Sequence, residues 1–393
     1  MTFSDRELAI ENEMTDRGVE RRRASSSRIR ARGKESLTGP GHRLVRAAMG
    51  RTVTGLEAWL KAEAKRGPTN RSAAYALAKQ VPPRIMALLG LRAALDGACA
   101  NRTWQAVVHA IATRVDEERA ARWLERTHRG LWHAARRRSK SIPERAASRL
   151  REDVRRLMKE QGFQRWSMSD RLKVGALVLE VIDQCAGLIR IDRVRKARRR
   201  ALLLVTVLPE VADWIQNATK ADECLEPLYL PMLDRPGEWG KGLLGGYATP
   251  LVARKHLVKN RSKVTQGLVA EADMPAVYGA VNALQGTAWE VNPDLLEVAK
   301  ALMASGQSCP GLESADPEPY PEVPPEGKTK DWLRARFVVR RSNIHRASRR
   351  VESARVLWLA GRLRDEGQFY FPQQLDFRGR TYPVPQKSSC CGK

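Results

Sequence analysis

Gln368-Phe369-Tyr370-Phe371-Pro372-Gln373-Gln374-Leu375-Asp376-Phe377-Arg378-Gly379-Arg380-Thr381-Tyr382-Pro383-Val384-Pro385 is the most informative stretch of this 393-residue chain. Aromatics and prolines frame the five residues Asp376 to Arg380. Gly379 has no side chain, so the backbone there can come close to a ligand. The flanking Arg378 and Arg380 carry guanidiniums suited to gripping phosphates or base edges. Asp376 lies two residues before the first arginine and can orient it through a charge-assisted pair. The same residues also read as a plain surface turn with an Arg–Asp pair, and the rest of the chain decides between the two.

Outward from that stretch, charge is the dominant feature. The chain has 70 Lys+Arg against 44 Asp+Glu, a net charge of +26. Such an excess repels itself and calls for a polyanionic partner, nucleic acid before an anionic membrane. Hydrophobic residues make up 42%, enough for a sizeable core, and the length suits about two or three domains. The six cysteines (Cys99, Cys185, Cys224, Cys309, Cys390, Cys391) show no C-x-x-C pair and no histidine at zinc spacing, so a reduced, cytoplasmic setting is expected. No apolar run approaches the roughly 18 residues of a membrane span, and the N-terminus has no signal-peptide pattern.

Taken in order, residues 1–41 contain Arg21-Arg22-Arg23 and Arg28, Arg30 and Arg32 around a serine run, and read as a basic flexible arm. Residues 42–308 read as a mainly helical domain. Leu56, Trp59 and Leu60 end one helix, and Gly67-Pro68 breaks the chain into a basic loop carrying Lys65, Arg66 and Arg71. Helices are expected over 84–98, 103–114, 117–140 and 144–161. Leu172, Gly175, Leu179, Ile182 and Ala186 recur at helical spacing behind Ser167 or Ser169 as cap, which marks a buried scaffold helix.

At 188–207, Ile189 and Ile191 precede Arg195, Lys196, Arg198, Arg199 and Arg200, and Leu202 to Val207 reads as a strand. A β-hairpin with a strongly basic tip is expected, with a helix through the arginines as the competing reading. Residues 309–327 are acidic and proline-rich and read as a domain linker. Two long helices follow over 328–366, broken at Ser342-Asn343, with Arg346, Arg349 and Arg350 sharing a face of the second.

No catalytic constellation assembles. The histidines lack partner spacing, and no H-E-x-x-H, G-x-S-x-G or Walker-type loop occurs. A two-metal site needs at least two converging carboxylates, and Asp376 is the one carboxylate in a suggestive context. No catalytic or metal-binding residue is therefore assigned.

Several stretches, in order, resemble the single-subunit DNA-directed RNA polymerases of bacteriophage and mitochondrial type. Phe371-Pro372 with Asp376-Phe377-Arg378-Gly379-Arg380 and Tyr382 resembles that family's D-x-x-G-R element at the entry to the palm. Pro227-Leu228-Tyr229-Leu230-Pro231-Met232 and Gly245-Gly246-Tyr247 resemble its proline-rich region. Met274-Pro275-Ala276-Val277-Tyr278 with Asn282, Gln285 and Thr287-Ala288-Trp289 resembles its MPxVYxAxNxxQxTAW run.

The resemblance covers residues 56–386 and implies a mainly α fold with a small β component. It comprises a helical N-terminal domain carrying a β-hairpin, a long-helix thumb over 328–366, and the start of an α+β palm at 367–386. It further implies that Arg378 and Arg380 contact the template strand or the RNA–DNA hybrid, with Asp376 holding the arrangement. Lys65, Arg66 and Arg71 would touch upstream duplex, and Arg346, Arg349 and Arg350 would face nucleic acid from the thumb. The hairpin tip from Arg195 to Arg200 would lie at the upstream edge of melted promoter DNA. It is more basic than a strand-separating wedge needs, which favours phosphate gripping.

The implied partners are double-stranded promoter DNA, the template strand and the hybrid, bound by a monomer in the cytoplasm of a phage-infected or prophage-bearing cell, without a membrane. Mg2+ and nucleoside triphosphates are implied for the complete family enzyme and none for this chain. Residues 387–393 do not resemble the family's continuation into palm and fingers, so a truncated or frame-disrupted polymerase is expected. A stand-alone basic nucleic-acid-binding protein, or an inert remnant, are the alternatives.

Overall fold

The computed structural model describes residues 3–140, 146–194, 202–223, 227–242, 244–250, 252, 256–260, 262–327 and 329–385. In chain order the elements are α1 (Asp5–Ala31), α2 (Gly39–Lys65), α3 (Tyr75–Ala78), α4 (Pro83–Cys99), α5 (Trp104–Thr127), α6 (Arg129–Lys140), α7 (Ala146–Glu160), α8 (Met168–Cys185), β1 (Ile189–Val194), β2 (Leu202–Val207), α9 (Pro209–Glu223), α10 (Lys263–Glu271), α11 (Pro275–Gln285), α12 (Pro293–Ser305), α13 (Lys330–Leu363), β3 (Gln373–Leu375) and β4 (Thr381–Pro383). The fold is mainly helical with a small β component, as expected, and the described residues form two antiparallel two-stranded sheets. The chain divides into two compact units, residues 21–223 and residues 1–20 with 224–393. The proline-rich segment at 309–327 lies inside the second unit and is not the boundary between them.

The unit of residues 21–223 is built on α2, α4, α5 and α8. Its core is apolar and fully buried at Leu56, Met86, Leu91, Leu95, Ile111, Leu179 and Ile182. Helix α8 starts at Ser167, whose hydroxyl accepts the Asp170 N–H and caps the first turn. Small residues let the helices approach. A Cβ on Gly175 would sit 2.4 Å from the Val108 carbonyl oxygen of α5, and one on Gly90 would sit 2.4 Å from Val178 Cγ1.

The expected hairpin is present, with β1 and β2 antiparallel from Ile189↔Val207 to Val194↔Leu202. Ile189 and Val205 face the core, and the Val205 N–H donates to the Arg102 carbonyl (2.9 Å). The sequence placed a helix break near residue 115, but α5 runs on to Thr127 and the break is at His128. The acidic run there does not end the helix because Asp116 is fully buried and ion-paired to Arg119 (3.0 Å) and Arg165 (3.1 Å).

The largest departure is near the N-terminus. Of residues 1–41, expected as a flexible arm, Asp5–Ala31 form helix α1, whose residues up to Glu20 belong to the second unit. Glu7, Ile10, Glu11 and Met14 share one face at i, i+3, i+4, i+7 spacing, and all four are buried. Two of these four positions are glutamates, so the stripe does not read as apolar.

Both carboxylates act as caps for backbone elsewhere in the unit. Glu7 Oε2 accepts the N–H of Leu233 (2.6 Å) and of Asp234 (3.2 Å). Glu11 accepts those of Ala248 (2.6 Å) and Thr249 (2.6 Å). The Glu7 Oε1 atom is buried without a hydrogen-bond partner. Arg362 of α13 forms a bidentate pair with Glu13 and clasps the same helix.

The two expected helices after the proline-rich segment are one continuous helix, α13. Ser342-Asn343 does not break it, because Asn343 turns its amide outward. Its Oδ1 accepts the Glu318 N–H (2.7 Å) and its Nδ2 donates to the Glu318 carbonyl (2.8 Å). Trp332 Nε1 donates to the Pro321 carbonyl (3.0 Å). The proline-rich segment is thus docked along α13.

The aromatic stretch 369–375 holds the unit together. Phe369 exchanges two backbone hydrogen bonds with Trp289, and Tyr370 exchanges two with Met232. Leu375 donates to Leu257 and accepts from Lys259. Gln285 is almost fully buried and donates to the Gly237 carbonyl (2.8 Å), while Asn282 accepts the Trp239 N–H and donates to the Trp239 carbonyl.

Two outcomes are expected of this packing. Gly175→Ala forces a methyl group against the Val108 carbonyl and costs about 1–3 kcal/mol, read as a lower urea midpoint of the full chain. Burial raises the Glu7 carboxyl to about 7 from an ordinary 4.5. The folded state then binds the Glu7 proton more tightly than the unfolded state does. The stability associated with it is present at low pH and lost as pH rises from the unfolded value through about 7, by at most about 3 kcal/mol. Thermal unfolding at pH 5 and pH 8 should show native protein losing stability relative to Glu7→Gln, which keeps an acceptor for Leu233. Equal pH dependence of the two would contradict this.

Candidate nucleic-acid interface

The Asp376–Arg380 segment is the tip of the β3–β4 hairpin, whose register runs from Gln373↔Pro383 to Leu375↔Thr381. Asp376 does not orient a guanidinium, as the sequence suggested. Its Oδ1 instead accepts the backbone N–H of Arg378 (2.8 Å) and of Arg380 (2.9 Å). The Asp376 N–H donates to the Arg380 carbonyl (2.9 Å), which closes the loop. Gly379 takes φ +76°, a left-handed conformation that side chains disfavour. Both N–H bonds stabilise the carboxylate, that of Arg380 most. Together with the two guanidinium charges they hold Asp376 below the usual carboxylate range. The two arginine side chains are left exposed on a fixed turn. The Arg378 guanidinium lies 5.0 Å from the ring centre of Phe377, itself 73% exposed. A flat apolar ring beside two cations suits a nucleotide-bearing polyanion.

The basic loop after α2 is organised by a residue the sequence reading passed over, Glu63. It is buried, pairs with Arg66 (2.7 Å) and accepts the Ser72 N–H (2.7 Å). Arg71 folds back to donate to the carbonyls of Arg66 (3.0 Å) and Ala64 (3.1 Å), capping the end of α2. Lys65 is exposed beside them. Lys65, Arg66 and Arg71 are therefore together on one loop, with Arg71 serving chiefly to shape it. An acidic residue two positions before a basic cluster was the available signal for Glu63.

The α13 arginines are engaged. Arg346 donates to the Asp316 carbonyl (3.2 Å) and Arg349 pairs with Glu313 (2.7 Å). Arg350 donates to the carbonyls of Glu313 (2.9 Å) and Met303 (2.5 Å). These contacts tie the acidic segment to α13, and Arg349 remains 71% exposed in an ion pair of the weak surface kind. Arg195, Lys196, Arg198, Arg199 and Arg200 lie outside the described residues.

Among the described residues, no group of three or more His, Cys, Asp and Glu could hold a metal ion. No helix among the described residues is long and apolar enough to cross a membrane.

No family model matches the chain. T7 RNA polymerase of Escherichia phage T7 is 26% identical over 400 residues, covering 96% of this chain and 45% of the relative. The chain is related to the phage-type single-subunit RNA polymerases. DNA-directed RNA polymerase 3B, chloroplastic, of Nicotiana tabacum is 29% identical over 260 residues, 59% of this chain and 26% of the relative. DNA-directed RNA polymerase 1, mitochondrial, of Nicotiana sylvestris is 25% identical over 362 residues, 80% of this chain and 36% of the relative. The chain spans less than half the length of these relatives. Met232 and Trp289, from two of the polymerase-like runs, pair through their backbones with Tyr370 and Phe369, just before Phe371-Pro372, and Gln285 donates to the Gly237 carbonyl.

The Asp376 clasp should behave as a titratable latch. The depressed carboxyl keeps the turn ordered above the ordinary carboxylate range, and the order is lost as pH falls through the folded value. Amide-exchange protection at Arg378 and Arg380 should vanish in Asp376→Ala at neutral pH and survive in Asp376→Asn. Unchanged protection in Asp376→Ala would show that the carboxylate does not hold the turn.

Proposed function

We propose that this chain is the DNA-holding portion of a DNA-directed RNA polymerase of phage type, acting as a monomer in the cytoplasm on promoter and template DNA. Similarity running through 96% of the chain, across both compact units, carries this reading. The +26 charge supports it, because a polyanion relieves the self-repulsion. So does the turn that presents Arg378 and Arg380, whose guanidiniums would lie against the template strand or the RNA–DNA hybrid. The loop with Lys65, Arg66 and Arg71 would approach upstream duplex, and Arg349 would exchange Glu313 for a phosphate. In this reading the chain holds nucleic acid and does not carry out nucleotidyl transfer by itself, because a two-metal site needs converging carboxylates and Asp376 is the one carboxylate in a suggestive context.

Fluorescence anisotropy with duplex and with primed-template DNA over a salt series tests this. Affinity should fall steeply with salt. Arg378→Ala with Arg380→Ala should weaken primed-template binding and shrink the salt slope by about two. A flat salt dependence would defeat the binding reading. Incorporation of nucleotides by the chain alone would defeat the claim that it lacks catalysis.

A further inference from the structure

In the unit of residues 21–223, the end of α2, helix α3 and the end of α5 enclose an open cleft of about 450 Å³, within the range of small-ligand sites. Leu60 and the buried Val81 supply apolar floor, and the half-buried Tyr75 supplies an aromatic wall. Lys61, Lys79 and Arg126 stand exposed at its rim. No carboxylate among the described residues pairs with any of these three cations. Lys79 Nζ lies 5.4 Å and the Arg71 guanidinium 5.3 Å from the centre of the Tyr75 ring. These cation–π contacts hold the ring at the cleft and leave the positive charge unneutralised.

We propose that this cleft docks one unpaired nucleotide of a nucleic-acid single strand, its ring against Tyr75 and its phosphates at Lys61, Lys79 and Arg126. The inference rests on the reading that the chain holds nucleic acid, and adds a site and a strand state to it. An aromatic face beside convergent cations is the arrangement by which single strands are held without sequence preference. A duplex cannot use it, because its bases are stacked inside and a half-buried ring cannot reach them. A second cavity, near Arg30, Cys99 and Thr219, lacks this character because Glu35 neutralises Arg30 at 2.8 Å.

The test uses the full chain and an oligothymidylate roughly eight nucleotides long, within single-strand site sizes, carrying one 5-iodouracil for photocross-linking. Cross-links should map to Tyr75. Tyr75→Ala should weaken single-strand binding roughly five- to a hundredfold and change duplex binding less than about twofold, while Tyr75→Phe retains it. Lys61→Glu with Lys79→Glu, both on the surface, should flatten the single-strand salt slope by about 1.4 or more. Cross-links confined to other segments, equal losses for duplex and single strand, or tighter binding of thymidine monophosphate than of the oligonucleotide would each overturn the site. Such a failure with salt-dependent duplex binding intact would leave the proposed function standing.

Discussion

The backbone of residues 369–375 needs partners for its N–H and C=O groups, and the β3–β4 hairpin supplies only some of them. Buried amides left unpaired are costly. Met232, Trp289, Leu257 and Lys259 supply the partners, from segments more than a hundred residues away in three of the four cases. That requirement draws the irregular, glycine- and proline-rich region onto one aromatic strand. The T-shaped contacts of Phe371 with Phe369 and Trp289 then fill the space between. The hairpin tip with its two arginines extends from the strand fixed in this way, and the Asp376 carboxylate orders the turn itself.

A second constraint is how a chain with +26 net charge keeps its arginines in order. Carboxylates are scarce, and several are used as organisers. Glu63 shapes the loop after α2, Asp116 pins two arginines, Asp376 takes backbone N–H groups, and Glu7 and Glu11 cap distant loops. The surplus cations fall into two kinds. Arg71 and Arg350 are tied to main-chain carbonyls and build the fold. Arg378, Arg380, Lys61, Lys79 and Arg126 remain at the surface, where a polyanion can reach them. Position in a basic run does not tell these kinds apart. Arg66 and Lys65 are neighbours, and only the first meets Glu63.

Part of what resembles a polymerase is architectural. Gln285, Asn282 and Trp289 form hydrogen bonds that hold loops to the aromatic strand.

By itself the amino-acid sequence determined the scaffold helix α8, the β1–β2 hairpin, the basic loop after α2 and the special turn at Gly379. Each depends on spacing or on a local conformational preference, which neighbouring residues set. Its runs also carried the resemblance to phage-type polymerases. The tertiary structure alone decided that residues 5–31 are a helix with a buried face, because Glu7 and Glu11 stand where an apolar stripe would be and are satisfied only by remote N–H groups. It also decided that α13 continues through Ser342-Asn343, that the acidic proline-rich segment docks on it, and that Asp376 grips backbone rather than guanidinium. In each case the deciding partner is distant in the chain, or is a backbone atom that composition and periodicity do not register.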